Sequence, residues 1–222
     1  MDYIKKLSEK FVRYADLIGV KTMDNKEPMI ALSQSNISFT IFDKHIPPST
    51  GNEIFVRTGT LQKLQEVQNY LDQKFNGLEI DVTYGYRSLA VQTAKYQETR
   101  NDLEKLNIYK TELELNEAIH KYIAVPTVAG HPTGGAVDVR LKNKAGQILD
   151  FGTEMHENAE LSYTFNPLVD QESWHNRQIL RASMLSAGFA PYDGEWWHFS
   201  YGDKEWAHYY KKPSSLYNQL EL

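Results

Sequence analysis

Between Thr60 and Phe75, apolar residues recur at helical spacing: Leu61, Leu64, Val67, Leu71 and Phe75. This predicts an amphipathic helix with Gly77 as its stop. The period then changes. Leu78, Ile80, Val82 and Tyr84 alternate with Glu79, Asp81 and Thr83, which predicts a strand. Gly85-Tyr86-Arg87-Ser88 is the turn out of it, and Ser88 can cap a helix running to about Leu106. Residues 107–122 read as helix, whereas Val125 to Gly135 is rich in Pro and Gly and reads as loop. Val137, Val139 and Leu141 alternate with Asp138 and Arg140 as a second strand, and Asn143-Lys144-Ala145-Gly146 reads as a turn. After a loop through Pro167, residues 173–187 form a helix with Ile179, Leu180, Met184 and Leu185 inward and Gly188 at its C′ position. Trp196 to Tyr201 reads as a third strand. Residues 1–57 are harder to read; pieces of Leu32–Phe42 are strand-like, and Ile46-Pro47-Pro48-Ser49-Thr50-Gly51-Asn52 has loop chemistry.

Helices and strands do not alternate regularly. The fold class expected is α+β, with a mostly antiparallel central sheet flanked by helices. The absence of repeats and low-complexity linkers favours a single domain over 1–222, and 222 residues suffice for a sizeable core.

Composition narrows the function. With 24 Lys+Arg against 29 Asp+Glu the net charge is −5, which argues against nucleic acid or an anionic membrane as main partner. Hydrophobic residues at 41% and charged residues at 24% exclude wholesale disorder. There is no cysteine, so disulfides, thiolate zinc fingers, iron–sulfur clusters and cysteine nucleophiles are excluded, and any metal must be held by His and carboxylate. The first residues have charges but no apolar h-region, and no apolar run is long enough for a transmembrane helix. The expectation is a cytoplasmic protein, with secretion left open and oligomeric state unread.

Candidate chemistry gathers at two places. His131 ends the Pro/Gly-rich loop and Asp138 follows in a strand, with Gly134, Gly135 and Ala136 between them to let the backbone fold tightly. Taken alone, Asp138 fits a solvated position as well. Gly194-Glu195-Trp196-Trp197-His198-Phe199 is the second place. A regular strand would put Glu195 and His198 on opposite faces, so they share a cavity only if the chain kinks near Gly194-Glu195. His198 alone also fits a core histidine hydrogen-bonded among aromatics. Together the two places offer two imidazoles and a carboxylate, a set that binds zinc and leaves a fourth position for water, with Glu195 as a base and Arg87 as a cation for an oxyanion.

These residues resemble a known family. His131-Pro132-Thr133-Gly134-Gly135-Ala136-Val137-Asp138 resembles the Ser-x-His-x-x-Gly-x-Ala-x-Asp signature of the D-Ala-D-Ala metallopeptidases, and Glu195-Trp196-Trp197-His198 resembles their Glu-x-x-His. Gly85-Tyr86-Arg87-Ser88 followed by Gln92 is similar to their upstream arginine motif. Leu149-Asp150-Phe151-Gly152-Thr153 and Asn176-Arg177 extend the likeness to the VanX-type D-alanyl-D-alanine dipeptidases over about 54–202. Two departures stand out. Ala129 replaces the Ser two positions before the first His, and the turn has Ser88 where the dipeptidases more often have Pro after the Arg, as in the related carboxypeptidases.

The resemblance implies a hedgehog/lysostaphin-type fold, with a catalytic core of about 54–202, and one Zn²⁺ per chain bound by His131, Asp138 and His198; residues 1–53 are unassigned and read as part of the same single domain. It implies Glu195 as general base and then acid, Arg87 polarising the scissile carbonyl, and Asp150 holding the substrate's free amino group. The alternative for Asp150 is a turn or cap residue. Tyr86 and Trp197 read as packing residues. His45, His120, His156, His175 and His208 match no motif and read as surface or packing, with His156 the one nearest a pocket by sequence. The implied activity is zinc-dependent hydrolysis of D-Ala-D-Ala or a similar small dipeptide. Rival readings are a D,D-carboxypeptidase acting on cell-wall stem peptides, and a non-catalytic binding module with structural zinc.

Overall fold

The computed structural model describes residues 2–41, 50–156 and 160–222. The end of the strand-like stretch at Phe42, His45 and most of the Ile46–Asn52 loop lie outside the described residues. Along the chain come α1 (Asp2–Ser8), α2 (Tyr14–Leu17), β1 (Met29–Ala31), β2 (Ser38–Phe39), β3 (Phe55–Arg57), α3 (Thr58–Lys74), β4 (Leu78–Tyr84), α4 (Leu89–Glu104) and α5 (Glu112–His120). Then follow β5 (Ala136–Asn143), α6 (Gln171–Ser186), β6 (Ala190–Pro191), β7 (His198–Ser200) and α7 (Lys204–Tyr209).

Five strands form the main sheet in the order β2-β4-β5-β7-β6, antiparallel at every pairing except β2 with β4; β1 and β3 pair separately. The α+β class with a mostly antiparallel sheet therefore holds. One face of the sheet is covered by α3 and α6, which also touch each other. Leu64, Val67 and Leu71 of α3 are fully buried with Ile80, Val82, Val137, Val139, Leu141 and Met184. Each such side chain contributes about 1.5–3 kcal/mol by leaving water. Asp138 and His198 of the opposite face line one cavity with Leu17 of α2, Gln92 of α4 and Val128 of the 3-10 turn Pro126–Val128; Leu17, Val125 and Val128 make a second apolar cluster. Among the described residues, no helix is long and apolar enough to cross a membrane.

Local rules account for several ends. Ser88 caps α4 by accepting from the Val91 amide, and Gly188, at φ +86°, follows α6 as its C′ residue. Other expectations are corrected. Residues 107–111 are not helical, so α5 begins only at Glu112, after its cap Thr111. Trp196 and Trp197 lie in a turn, and the strand starts at His198. Leu185 is only partly buried, while the polar Arg177 beside the apolar stripe is wholly buried.

Tyr84 also departs from its alternation. Val82 pairs with Val139 but Tyr84 pairs with Asp138, so Thr83 is an extra residue and β4 is bulged there. A bulge reverses which face the following side chain takes. Tyr84 consequently leaves the apolar face of Leu78, Ile80 and Val82 and joins the polar one, 5.3 Å (ring centroids) from His131. Thr83 uses its hydroxyl to donate to the Asp138 carbonyl at 3.0 Å.

Candidate active site

Strand pairing supplies two members of the site. Asp138 of β5 stands directly opposite His198 of β7 in the register, and cross-strand partners share a face. His198 Nδ1 lies 2.9 Å from Asp138 Oδ1. The third member comes from a tight loop. His131 opens a 3-10 turn that ends on Gly134 at φ +73°, where a Cβ would press within 2.5 Å of Met29 Sδ; glycine is the residue that fits. The chain then enters β5, and His131 Nε2 comes 3.5 Å from Asp138 Oδ1. The other ring nitrogen of His131, Nδ1, donates to the Gly85 carbonyl at 2.8 Å. Gly85 must be glycine too, because a Cβ would lie 2.6 Å from the Phe55 carbonyl oxygen.

The three ligand atoms of His131, Asp138 and His198 all lie within 4.8 Å of one another, the group among the described residues that could hold a metal ion. Two imidazole nitrogens and one carboxylate oxygen, nearly excluded from solvent, are a donor set suited to a borderline-soft divalent ion such as zinc. Burial pushes the His131 imidazole down to about 4, leaving it neutral with a lone pair on Nε2. Burial also opposes charge on Asp138, but the His131 and His198 imidazoles outweigh it and hold the carboxyl well below the usual range.

Glu195 reaches the same cavity by the turn that replaces the expected strand. The Glu195 amide donates to the Tyr192 carbonyl at 3.0 Å, and the His198 amide donates to the Glu195 carbonyl at 3.2 Å. Two consecutive turns thus supply the kink that a regular strand lacks. Burial pushes the Glu195 carboxyl up to about 7, where a group can take and return a proton near neutral pH. Arg87 is buried and held on two sides: Nη1 donates to Gln92 Oε1 at 2.7 Å, and its guanidinium carbon lies 4.8 Å from the centre of the Tyr84 ring. Gln92 is fixed in turn by donating to the Ala124 carbonyl at 2.6 Å.

Arg87, His131, Asp138, Glu195 and His198 all line one cavity of about 90 Å³. It adjoins a larger cavity of about 470 Å³ that shares Val12, His120, His156, Tyr192 and Glu195 and is walled by Phe11 and Tyr163. That size lies within the range of about 300–1,000 Å³ usual for small-molecule pockets.

Asp150 is not brought to this cavity. It is exposed, accepts from the Gly152 amide at 2.7 Å in a local turn, and borders a separate depression with Thr153 and Glu154. This is the geometry of a turn residue. Its carbonyl accepts from Asn176 Nδ2 at 2.8 Å, and Arg177 Nε donates to the Phe151 carbonyl at the same distance, so Asn176-Arg177 pins this loop onto α6. Tyr86 packs as expected and donates its hydroxyl to the Leu220 carbonyl at 3.0 Å. Trp197 is buried, with the His156 ring 5.0 Å away.

Two kinds of contributor carry no signal in the sequence. His120 lines the cavity from the end of α5, its Nδ1 accepting from the Val125 amide at 3.2 Å; nothing in its helical context marks it. Phe11 and Val12 come from the part of the chain with no clear period. Ala129 lies buried in the cavity wall, and its carbonyl accepts from Gln219 Nε2 at 3.1 Å.

Residues 39–218 match a family model described as D-ala-D-ala dipeptidase. A D-alanyl-D-alanine dipeptidase of Synechocystis sp. is 32% identical over 187 residues, covering 71% of this chain and 73% of the relative. One from Escherichia coli K12 is 38% identical over 80 residues, 36% of this chain and 42% of that protein. One from Enterococcus faecium is 29% identical over 112 residues, 50% of this chain and 54% of that protein.

Proposed function

The chain belongs to the D-ala-D-ala dipeptidase family, and from that premise we propose that it hydrolyses D-Ala-D-Ala or a similar small dipeptide with one zinc ion held by His131, Asp138 and His198. The observation that carries the reading is the convergence of those three ligand atoms in one cavity with Glu195 and Arg87. When bound, zinc supplies Lewis acidity and makes water acidic enough to act as a nucleophile near neutral pH.

The chain's own groups then have separable tasks. Glu195, with its carboxyl near 7, takes the proton of the attacking water and returns it to the departing amine. Arg87, locked by Gln92 and Tyr84, offers fixed positive charge to the oxygen on which negative charge grows. The adjoining cavity, lined by Phe11, Val12 and Tyr163 and about 470 Å³ in volume, is of a size to take a short substrate such as a dipeptide.

Purified protein is to be offered D,D-, L,D- and L,L-dipeptides and a blocked longer peptide ending in D-Ala-D-Ala, with and without EDTA. The expected result is metal-dependent release of D-Ala from the free D,D-dipeptide. Preference for the blocked peptide would favour the carboxypeptidase, and absence of any hydrolysis with zinc bound would favour a binding module.

A further inference from the structure

His198 has a carboxylate near each ring nitrogen. Nδ1 lies 2.9 Å from Asp138 Oδ1, and Nε2 lies 3.7 Å from Glu205 Oε2. Glu205 sits in the first turn of α7, its side chain is only 15% exposed, and it lines the cavity of the cluster. Its Oε1 is buried with no hydrogen-bond partner among the described residues. Burying a carboxylate so incompletely satisfied is costly. Helix capping does not account for it, because Asp203 already accepts from the Trp206 amide at 2.9 Å.

The two histidines follow one plan with opposite orientation. His131 gives its Nδ1 proton to the Gly85 carbonyl, which leaves the Nε2 lone pair facing Asp138. In this structure His198 Nδ1 can only donate to the Asp138 carboxylate; when Nδ1 instead gives its lone pair to a metal, the ring proton belongs on Nε2, and the group facing Nε2 is Glu205. An imidazole that binds a metal through one nitrogen has its tautomer and orientation set by the acceptor at the other.

We propose that Glu205 is a positioning residue for His198: it accepts the Nε2 proton and so presents the Nδ1 lone pair to the side where His131 and Asp138 converge. The proposal rests on the zinc reading of that cluster. A separation of 3.7 Å exceeds a hydrogen bond, so the proposal requires the pair to close when Nδ1 is engaged.

The test uses wild type, Glu205→Ala, Glu205→Met, Glu205→Gln and His198→Ala. Zinc affinity is measured by chelator competition, and the histidine ring N–H signals by ¹H–¹⁵N spectra of zinc-loaded protein. Glu205→Ala is expected to weaken zinc binding about 10–100-fold and to expose the His198 Nε2–H signal to exchange with water. Glu205→Gln, which keeps an acceptor oxygen, recovers part of both. Glu205→Met keeps the bulk without the acceptor and stands in for the alanine variant if that one does not fold. The proposal is overturned if the Ala and Met variants hold zinc as tightly as wild type with the signal equally protected. Loss of zinc in His198→Ala within the same series would then leave the zinc reading intact. Failure of wild type to bind zinc, or equal binding by His198→Ala, removes that reading and this proposal with it.

Discussion

The amide of His198 donates to the carbonyl of Glu195 at 3.2 Å, closing a turn with Trp196 and Trp197 at its centre. This bond carries a carboxylate and an imidazole three residues apart into one cavity, where alternation along a strand would separate them. Because Glu195 is not among the three clustered ligand groups, Glu195→Gln is expected to keep zinc while turnover falls by about 10²–10⁴. Metal content and kcat measured on the same preparation check this; near wild-type turnover would remove Glu195 from the proton-transfer role.

Arg87 depends on Gln92, which receives its Nη1 at 2.7 Å and is itself anchored to the Ala124 carbonyl. Arg87→Ala is expected to lower kcat by about 10²–10³, the range for removing one oxyanion donor. Gln92→Leu, which leaves the guanidinium present but unheld, lowers kcat less. Steady-state kinetics on both variants distinguish lost charge from lost positioning; equal losses would count against the ordering.

Asp150 provides a contrast. Its side chain serves the Gly152 amide and it borders a different depression. Asp150→Asn retains that acceptor, and KM for a free dipeptide is expected to stay unchanged. A marked rise in KM would return Asp150 to the role of amino-group partner.

Asp81 of β4 is wholly buried and accepts from Arg140 Nε at 2.9 Å and from the hydroxyls of Ser38 and Thr40, each at 3.1 Å. Arg140→Ala strands this carboxylate, and a loss of about 3–5 kcal/mol is expected from breaking such a buried pair on one side. Urea unfolding measures it. The Asp81→Asn, Arg140→Ala double variant should recover part of the loss, since no uncompensated charge remains.

Burial, aided by the charge of Glu205, pushes the Asp203 carboxyl up to about 6. The folded protein therefore holds this proton more tightly than the unfolded chain does. The resulting stability is fully present below the ordinary carboxyl range and is lost as pH rises through 6. Asp203→Asn keeps an acceptor for the Trp206 amide but has no charge to bury, so it should gain on wild type between pH 5 and pH 8 by about 1–3 kcal/mol. Urea midpoints at the two pH values decide; a constant difference would refute the assignment.

The long elements and the identity of the chemical groups are legible in the order of residues along the chain. Hydrophobic periodicity marks α3, β4, β5 and α6, because burial of one face imposes its spacing on the chain wherever an element is long enough to repeat it. The His131–Asp138 and Glu195–His198 segments are legible because tight turns and metal ligation restrict which residue types can serve. How those groups face depends on the packing of elements against one another. The bulge at Thr83 and the turn at Trp196-Trp197 each reverse a face that alternation assigns otherwise. Both depend on a neighbouring strand or loop, through Thr83 donating to Asp138 and Trp196 to the Ser162 carbonyl. Asp150 was drawn away from the cavity for the same kind of reason, since Asn176 and Arg177, distant in sequence, fix its loop against α6. His120, Phe11 and Glu205 reach the two adjoining cavities through contacts between elements far apart in the chain, which no local pattern of apolar and polar residues encodes.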